Sequence, residues 1–560
     1  MVFYLIAMLA MSAYFFLQAK HQKAKGQFDN SKYLTAKGMK IPAIVIGLSI
    51  WATGLSSITF LSTPGIAFKT GWMWAITQLS FFLVVPILIK FVIPFYRRMT
   101  ESTAYAYLQK RFSYSLRAIA SISFILFHIF RIAIVLYIPT LALSLFVNIN
   151  SYLLLFIVIV VVVISTFLGG FKGVLWTDAV QGFVLFIGIL LILIFGLAYT
   201  NWNSDTIKYS FFTKENQWKI DLASGGIFFI FLSKIIENTF TYTASQDIVQ
   251  RYKTGQNINA VIKSIHINII LVIITLLVFY GVGSMLYTYY SSRGINVDDS
   301  NAISQIVGVE NAANNQLLSY FIISVLPMGI SGLILSAVFA ASQSTISSSL
   351  NSLVTTIVVD FWRYFYPQTS DKTLNIWSKI LIIVFGIFGF MVSALLIYTK
   401  EENIINYFLS IIGLFAAPVA GTFILGIFTK RTNSQGALVG LICGFLVSFP
   451  LWLMTQKFIP ESSRIVFGPA WITIISFLSS LSIGYFTSFI FASFLKQKSI
   501  INLSVWTKTK EFDNLLKLEK LIYKQEKLYK KTTKGKEQLS NLVQQFDSLT
   551  QIVHEQIQQN

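Results

Sequence analysis

Long apolar segments recur along most of this chain and are separated by short polar connections. Many of them exceed the roughly 20 residues that cross a bilayer as an α-helix. Lipid offers the backbone no hydrogen-bond partners, so such segments form helices, whose hydrogen bonds stay within the segment. Hydrophobic residues make up 55% of the 560 residues, and charged residues only 12%. The sequence therefore predicts an all-α polytopic membrane protein that needs no strands.

The apolar pattern predicts about thirteen transmembrane helices. They lie at residues 1–18, 41–66, 71–96, 117–146, 151–169, 174–199, 223–248, 260–288, 317–358, 376–398, 403–428, 435–455 and 468–495. The first segment lacks a basic leader and a small-residue cleavage site, so we interpret it as a span and not as a secretory signal.

Basic residues in alternate loops predict the orientation, because Lys and Arg accumulate on the cytoplasmic side. The 19–40 loop holds six lysines against one acid, Asp29. The basic connections at 97–117, 251–263 and 430–431 fall on the same side, whereas the 289–316 loop is acidic. We expect a bacterial plasma-membrane protein with its N-terminus outside and its C-terminus in the cytoplasm. The net charge of +20 reflects this topology and a basic tail, and it does not indicate nucleic-acid binding.

Several kinds of chemistry have no support in the sequence. Cys443 is the only cysteine, so one chain can form neither a disulfide nor a cysteine metal site. There is no Gly-rich phosphate loop of the Walker type, and the four histidines are scattered. No nucleophile, base and oxyanion arrangement appears. We expect a protein that is not an enzyme and does not hydrolyse ATP, so any transport must be driven by a gradient or by another subunit.

A run of small and hydroxyl-bearing residues, AASQSTISSSLNS, occupies positions 340–352 within an apolar segment. At about 100° per residue, one helical face collects Ala341, Ser344, Thr345, Ser347 and Ser348. Hydroxyls at bilayer depth suit a small hard cation. Small residues also serve close helix packing, and serine hydroxyls often bond carbonyls of their own helix. Both interpretations are open at this stage.

The second predicted span is interrupted at its middle by residues 52–60, ATGLSSITF, and has Pro64 and Gly65 near its end. Glycine and small polar residues at this depth are typical of a discontinuous helix, whose unwound turn exposes carbonyls to a cavity. The carbonyls of Ala52 and Leu55 would then face the serine run. The alternative is a simple packing kink.

Of the charged residues inside predicted spans, Arg131 and Asp178 are the strongest functional candidates. Arg131 is well within 117–146, where a charge costs at least about 2.5 kcal/mol, and that span contains no acid. It must pair with another helix or meet an anionic ligand through its forked guanidinium. Asp178 follows the basic turn at 169–178; it would cap the helix, neutralise Lys172 or neutralise a bound cation.

Three further polar residues have structural interpretations. Lys234 and Glu237 are three residues apart, so they can pair on one helical face. His128, one turn before Arg131, is interpreted as a packed polar neighbour and not as a proton relay.

The tail at 496–560 is basic and predicts an amphipathic helix, because its apolar residues from Leu539 to Val553 repeat at spacings of three and four. Docking on the cytoplasmic face is our first interpretation, lipid-headgroup attraction the second and a short coiled coil the third.

The sequence resembles the sodium:solute symporters, whose members share a fold of two inverted five-helix repeats like that of the leucine transporter. The resemblance covers roughly 1–495. Three motifs carry it in order: ATGLSSITF at 52–60, GGFKGVLWTDAVQ at 169–181 and SSSLNS at 347–352. It implies the following organisation: an extra span and basic loop at 1–40, repeat halves at 41–199 and 223–428, two additional spans at 435–495 and the tail at 496–560.

The resemblance also implies two sodium sites, with sodium as the co-transported ion. The first would use the carbonyls of Ala52, Leu55 and Ala341 with the hydroxyls of Ser344 and Thr345. Many relatives have serine at the position of Thr345, a change that keeps the hydroxyl. The second, which occurs in part of the family, would use Asp178, Ser344, Ser347 and Ser348.

Within the family, the chain resembles the bacterial sialic acid symporters most closely. Four positions match those that hold the substrate there: Ser56, Thr59, Gln78 and Arg131. The arginine would take the carboxylate of the sugar acid, and the other three would donate or accept neutral hydrogen bonds. Other small organic acids, an amino acid such as proline and a neutral sugar are alternative substrates. A membrane sensor that signals to a kinase and a channel are alternatives from other classes.

Overall fold

A computed structural model describes most of the chain. The described residues are 2–25, 40–99, 102–144, 149–200, 210–211, 226–299, 301–308, 314–399, 404–456, 459, 467–493, 498–529 and 533–558. Within these ranges the regular secondary structure is helical, apart from an isolated bridge between Ile41 and Gly255. The all-α prediction is confirmed.

The helices have the following bounds in chain order. The first ten are α1 (Val2–Ala24), α2 (Ala43–Gly54), α3 (Ser57–Thr70), α4 (Ala75–Arg97), α5 (Ala106–Arg111), α6 (Tyr114–Ser144), α7 (Ser151–Tyr199), α8 (Gly226–Thr243), α9 (Gln246–Tyr252) and α10 (Ile258–Ser291). The others are α11 (Ala302–Val307), α12 (Asn314–Ser324), α13 (Met328–Phe365), α14 (Asp371–Thr399), α15 (Asn406–Phe428), α16 (Ser434–Leu453), α17 (Pro469–Ala492), α18 (Lys510–Tyr529) and α19 (Thr533–Gln558).

The number of candidate spans is smaller than the thirteen predicted. In the described ranges, 10 helices are long and apolar enough to cross a membrane, or 11 if the bent pair α2 and α3 forms one span. One difference is α7, which counts once although it covers two predicted spans. The other is α8, which is not among these helices because polar residues such as Lys234 and Glu237 lower its mean hydropathy.

The predicted span 317–358 is also wrong as a single helix. The structure divides it into α12, which ends at Ser324, and α13, which begins at Met328. Pro327 lies between them as the N-cap of α13. Proline lacks an N–H group and disfavours helical geometry in the residue before it, so the break falls there.

Gly170 interrupts the 49-residue helix α7. Its φ of 55° and ψ of −168° lie in a region that is open essentially to glycine alone. The two predicted spans of this segment therefore meet at a sharp turn, inside the second resemblance motif. The half of α7 after the turn carries Asp178.

The described tail helices pack on the rest of the protein and on each other. Phe512 and Leu515 of α18 are fully buried in an apolar cluster with residues of α2, α4 and α9. Glu519 accepts hydrogen bonds from Arg97 at the end of α4, at 3.2 Å, and from the Ile258 backbone N–H at the start of α10, at 2.8 Å. Val553 of α19 is buried in the same cluster. The tail therefore packs on the helix bundle, as the first interpretation expects, and its location on the cytoplasmic face stays a prediction.

Helix α1 is also tied to the bundle. The Tyr4 hydroxyl donates to Gln343 Oε1 on α13 at 2.8 Å, and Lys172 Nζ donates to Gln18 Oε1 at 2.9 Å. Lys172 therefore pairs with α1 and not with Asp178, which removes one of the three roles considered for that carboxylate.

Candidate ion and substrate site

The interruption of the second span is a true break. Helix α2 ends at Gly54, α3 begins at Ser57, and the two axes differ in direction by 63°. Leu55, between them, has a non-helical φ of −89° and ψ of 87°. Gly54 is exposed, and a Cβ on it would meet no atom within 4 Å. The break therefore borders open space at Gly54, and the second span is a discontinuous helix, as the sequence predicts.

The serine run of α13 faces the Asp178 carboxylate of α7. Ser344 Oγ donates to Asp178 Oδ1 at 3.0 Å, and Ser348 Oγ donates to Asp178 Oδ2 at 3.0 Å. All three side chains are fully buried. Because the hydroxyls share one helical face, a single carboxylate can accept from both.

The other predicted sodium ligands lie close to this group. Thr345 Oγ1 donates to the Thr53 carbonyl of α2 at 3.3 Å, which joins the serine helix to the broken helix. Ser347 instead donates to the Ser344 carbonyl of its own helix at 3.1 Å. The remaining predicted ligands are buried members of one apolar cluster: Ala52, Leu55 and Ala341.

Arg251 of α9 is one of the residues at this carboxylate that the sequence analysis missed. Its Nη2 lies 2.8 Å from Asp178 Oδ2, and neither side chain has any exposure. It also donates to the hydroxyls of Ser49, Thr53 and Ser348, at 2.9, 2.8 and 2.7 Å. Asp178 is therefore neutralised by a protein cation in this structure.

Arg131 is paired with another helix. Its Nη1 donates to Asp247 Oδ2 of α9 at 2.8 Å, and its Nη2 donates to the Thr53 carbonyl at 2.9 Å. Of the two partners considered for this arginine, the structure shows the protein carboxylate. The guanidinium lies beside the break of α2, next to the open space at Gly54.

The three neutral substrate candidates lie near the break or on a neighbouring helix. Ser56 is buried at the N-cap of α3, Thr59 lies half-buried one turn further, and Gln78 lies half-buried on α4. Within the described ranges, none of them hydrogen-bonds to Arg131. Among the described residues, the four predicted substrate residues therefore do not form one hydrogen-bonded group.

Sequence reasoning missed four members of this site. These are Ser49 and Thr53 on α2 and Asp247 and Arg251 on α9. Each pair is separated by four residues, a spacing that places both side chains on one helical face. That spacing is a signal that was present in the sequence, although it does not identify the partner helix.

The charges at the site alternate in sign: Arg131, Asp247, Arg251 and Asp178. A buried charge is tolerated only when it is paired. Each of these four residues has its counter-charge in one of the two ion pairs. Serine hydroxyls surround the Asp178 carboxylate, and the Arg131 guanidinium lies beside the break of α2. The arrangement is suited to holding a small cation and a carboxylate.

Two of the structural interpretations are supported. Lys234 Nζ lies 2.6 Å from Glu237 Oε2, so these two residues pair as predicted. His128 is buried between aromatic rings, with centroids 4.0 Å from Phe124 and 5.1 Å from Phe127. It is a packed neighbour of the site, as expected.

Comparisons with known proteins agree with this description. The sodium/sialic acid symporter NanT of Aliivibrio fischeri is 34% identical over 514 residues, covering 90% of this chain and 94% of that protein. The sodium/sialic acid symporter SiaT of Proteus mirabilis is 35% identical over 449 residues, covering 79% and 86%.

Solved structures give the same result for the fold. A substrate-bound, outward-open Na⁺-coupled sialic acid symporter has a TM-score of 0.76 at 32% identity, covering 88% of this chain and 97% of that chain. The nucleobase-cation-symport-1 transporter MHP1 has a TM-score of 0.53 at 14% identity, a likeness of fold alone. The expected leucine-transporter-like architecture is confirmed. The profile of the sodium:solute symporter family matches residues 33–444, and together with these relatives it shows that the chain belongs to that family of transporters, and not to a family of enzymes.

Proposed function

We propose that this protein carries a sialic acid such as N-acetylneuraminate into the cell together with two sodium ions, by alternating access. It would lie in a bacterial plasma membrane with its N-terminus outside and its C-terminus in the cytoplasm. The observation that carries the proposal is the position of Arg131, whose guanidinium meets a carboxylate beside the broken helix. The sialic acid symporters among its relatives support this choice of substrate.

The substrate carboxylate would bind Arg131. A planar guanidinium offers two parallel N–H donors to a carboxylate, and Arg131 already holds a carboxylate oxygen at 2.8 Å. Ser56, Thr59 and Gln78 would hydrogen-bond to the hydroxyl and amide groups of the sugar. Substrate binding would then draw the polar residues of α3 and α4 toward the arginine.

The first sodium ion would lie between the broken helix and the serine helix. Its ligands would be the carbonyls of Ala52, Leu55 and Ala341 with the hydroxyls of Ser344 and Thr345. Sodium is a hard cation that prefers oxygen ligands, and a half-helix end supplies free carbonyls. The contact between Thr345 and the Thr53 carbonyl supports the closeness of these two elements.

The second sodium ion would be held by Asp178 with Ser344, Ser347 and Ser348. Two of the hydroxyls already contact the carboxylate at 3.0 Å. Ser347 would have to turn from the carbonyl of its own helix to join them. The carboxylate would offset the charge of the second ion against the first.

The energetics favour two ions. With a tenfold sodium gradient and 100 mV, each sodium contributes about 1.4 kcal/mol chemically and about 2.3 kcal/mol electrically. A monoanion loses about 2.3 kcal/mol against that potential, so one ion leaves roughly 1.4 kcal/mol and two leave roughly 5 kcal/mol. Accumulation of a dilute anion would therefore reach roughly tenfold with one ion and several thousandfold with two.

Transport would follow from the contact between the two helices. Sodium would hold the broken helix against α13, the outer pocket would become ordered, and the anion would bind near Arg131. The bundle would then rock inward around the occupied site.

The test is uptake of labelled N-acetylneuraminate into sodium-free proteoliposomes, with and without an inward sodium gradient. We expect N-acetylneuraminate to accumulate above equilibrium only with the inward sodium gradient. A channel cannot produce accumulation above equilibrium. Competition by small carboxylates, proline and neutral sugars identifies the substrate class. Failure of N-acetylneuraminate to accumulate, with a folded preparation and an active competitor, would assign the site to that competitor.

Arg131 provides the matched variant of this experiment. Arg131→Lys keeps a positive charge opposite Asp247 but removes the forked donor pair, so we expect uptake to fall by about tenfold or more. Arg363→Gln, which opens the exposed pair of Arg363 with Asp371, should retain uptake. Wild-type uptake by Arg131→Lys would contradict the assignment of the substrate carboxylate to Arg131.

A further inference from the structure

Helix α9 carries two buried charges of opposite sign, Asp247 and Arg251, one helical turn apart. Asp247 accepts from Arg131, and Arg251 pairs with Asp178, each at 2.8 Å. Their side-chain exposures are only 1% and 0%. Helix α9 thus supplies the counter-charge for Arg131, the proposed substrate residue, and for Asp178, a proposed sodium ligand.

Arg251 contacts the atoms that a bound cation would need. It donates to Asp178 Oδ2 and to the hydroxyl of Ser348, two members of the proposed second sodium site. The Asp178 carboxylate would then face a guanidinium and a sodium ion at once, and like charges this close repel each other strongly in a buried site. Sodium binding at Asp178 therefore requires Arg251 to withdraw.

The same competition holds at Arg131. Its Nη1 is occupied by Asp247 and its Nη2 by the Thr53 carbonyl. A substrate carboxylate that takes the fork formed by these two nitrogens replaces Asp247. Anion binding therefore releases the acidic residue of α9, just as cation binding releases its basic residue.

The two released residues can neutralise each other. Asp247 precedes Arg251 by four residues, the favoured order for an ion pair within a helix. Arg251 already contacts the Asp247 backbone carbonyl. If only one cargo is bound, one charge of α9 is left buried without its partner, which is strongly unfavourable. If both are bound, every charge is paired.

The geometry points to Asp247 and Arg251 as the coupling residues of this transporter, tethered counter-ions that the substrate carboxylate and sodium displace together. This inference rests on the proposed function, because it uses Arg131 and Asp178 as the binding residues. Asp247 and Arg251 act as positioning residues, through the groups that hold the cargo. Coupling of this kind is reciprocal, so sodium and substrate each raise the affinity for the other.

The experiment measures two affinities of the purified full-length protein. Radioactive sodium is titrated without substrate, and N-acetylneuraminate is titrated by calorimetry in sodium-free buffer. Arg251→Gln removes the tethered cation, so its sodium affinity should rise by about tenfold. Asp247→Asn removes the tethered anion, so its sodium-free affinity for N-acetylneuraminate should rise by about tenfold. A merely structural role would lower these affinities.

The double variant Asp247→Asn with Arg251→Gln tests the coupling itself. In the wild type, sodium should increase the affinity for N-acetylneuraminate by about tenfold or more, and in the double variant the increase should shrink to about twofold or less. Arg251→Lys keeps the charge and should keep the wild-type sodium affinity. Arg117→Gln, which opens the buried pair of Arg117 with Asp360 elsewhere in the chain, is the matched control and should change neither affinity.

The outcomes separate the inference from the proposed function. A folded wild type that binds neither sodium nor N-acetylneuraminate would refute the function. A wild type that binds both, combined with variants in which neither affinity rises, would overturn the coupling role alone. If Arg251→Gln fails to fold, the other two variants still test the coupling role. Asp247→Asn should raise the sodium-free affinity for N-acetylneuraminate, and Arg251→Lys should keep the wild-type sodium affinity.

Discussion

Gly188 of α7 lies directly against Ala337 of α13, so that a Cβ at position 188 would lie 2.4 Å from the Cβ of Ala337. The absence of a side chain lets the two helices approach closely. This contact lies on the same two helices that bring the Asp178 carboxylate to Ser344 and Ser348. Close packing between α7 and α13 is therefore a condition for the ion site.

Gly188→Ala should force these helices apart. Overpacking costs about 1–3 kcal/mol, and we expect a lower melting temperature in detergent together with weaker sodium binding. Gly332→Ala, on α13 at a position where a Cβ would meet nothing within 4 Å, is the control and should leave both unchanged or slightly raise the melting temperature. If Gly188→Ala and Gly332→Ala had the same melting temperature and the same sodium affinity, close packing of α7 on α13 would not be a condition for the ion site.

Thr345 tests the first proposed sodium site. Its hydroxyl contacts the Thr53 carbonyl at 3.3 Å. Thr345→Ser keeps the hydroxyl and should keep the sodium concentration for half-maximal uptake. Thr345→Val keeps the shape without the hydroxyl, so it should raise that concentration by about tenfold, the effect of losing about 1.4 kcal/mol of ligand binding. Identical sodium dependence of the two variants would remove Thr345 from the ligand set.

Asp178 tests the second proposed sodium site. Asp178→Asn removes the charge that would stabilise the second ion and leaves one carbonyl acceptor in place of two carboxylate oxygens. We expect the ratio of sodium to substrate to fall from two to one, while uptake driven by the first sodium ion persists at a lower rate. Measuring sodium and substrate fluxes together in proteoliposomes gives this ratio. A ratio that stays at two in Asp178→Asn would place the second ion elsewhere.

Glu519 tests the docking of the tail. It accepts from Arg97 and from the Ile258 backbone N–H, and both contacts are at the ends of bundle helices. Glu519→Ala leaves these donors without their acceptor, so the free energy of unfolding should fall by about 1–3 kcal/mol. Glu555→Ala on the exposed side of α19 should change it by about 0.5 kcal/mol or less. Thermal unfolding in detergent compares the two variants.

The sequence by itself determined the helical class, the position of the broken helix and the shared face of the serine run. These properties follow from local periodicity and from the fixed geometry of one helix. The break at Leu55 and the turn at Gly170 lie within the motifs that predicted them. The predicted spans differ from the structure where polar residues or a proline interrupt an apolar segment, as in α8 and at Pro327.

Only the tertiary structure decided which charges meet. Arg251 was interpreted from the sequence as a loop charge, yet it pairs with Asp178, 73 positions earlier in the chain. Arg131 required an anion, but nothing in the sequence selected Asp247, 116 positions away. Periodicity shows which residues share a face of their own helix. The partner of that face depends on how distant helices pack, and burial then requires each charge to find its counter-charge there.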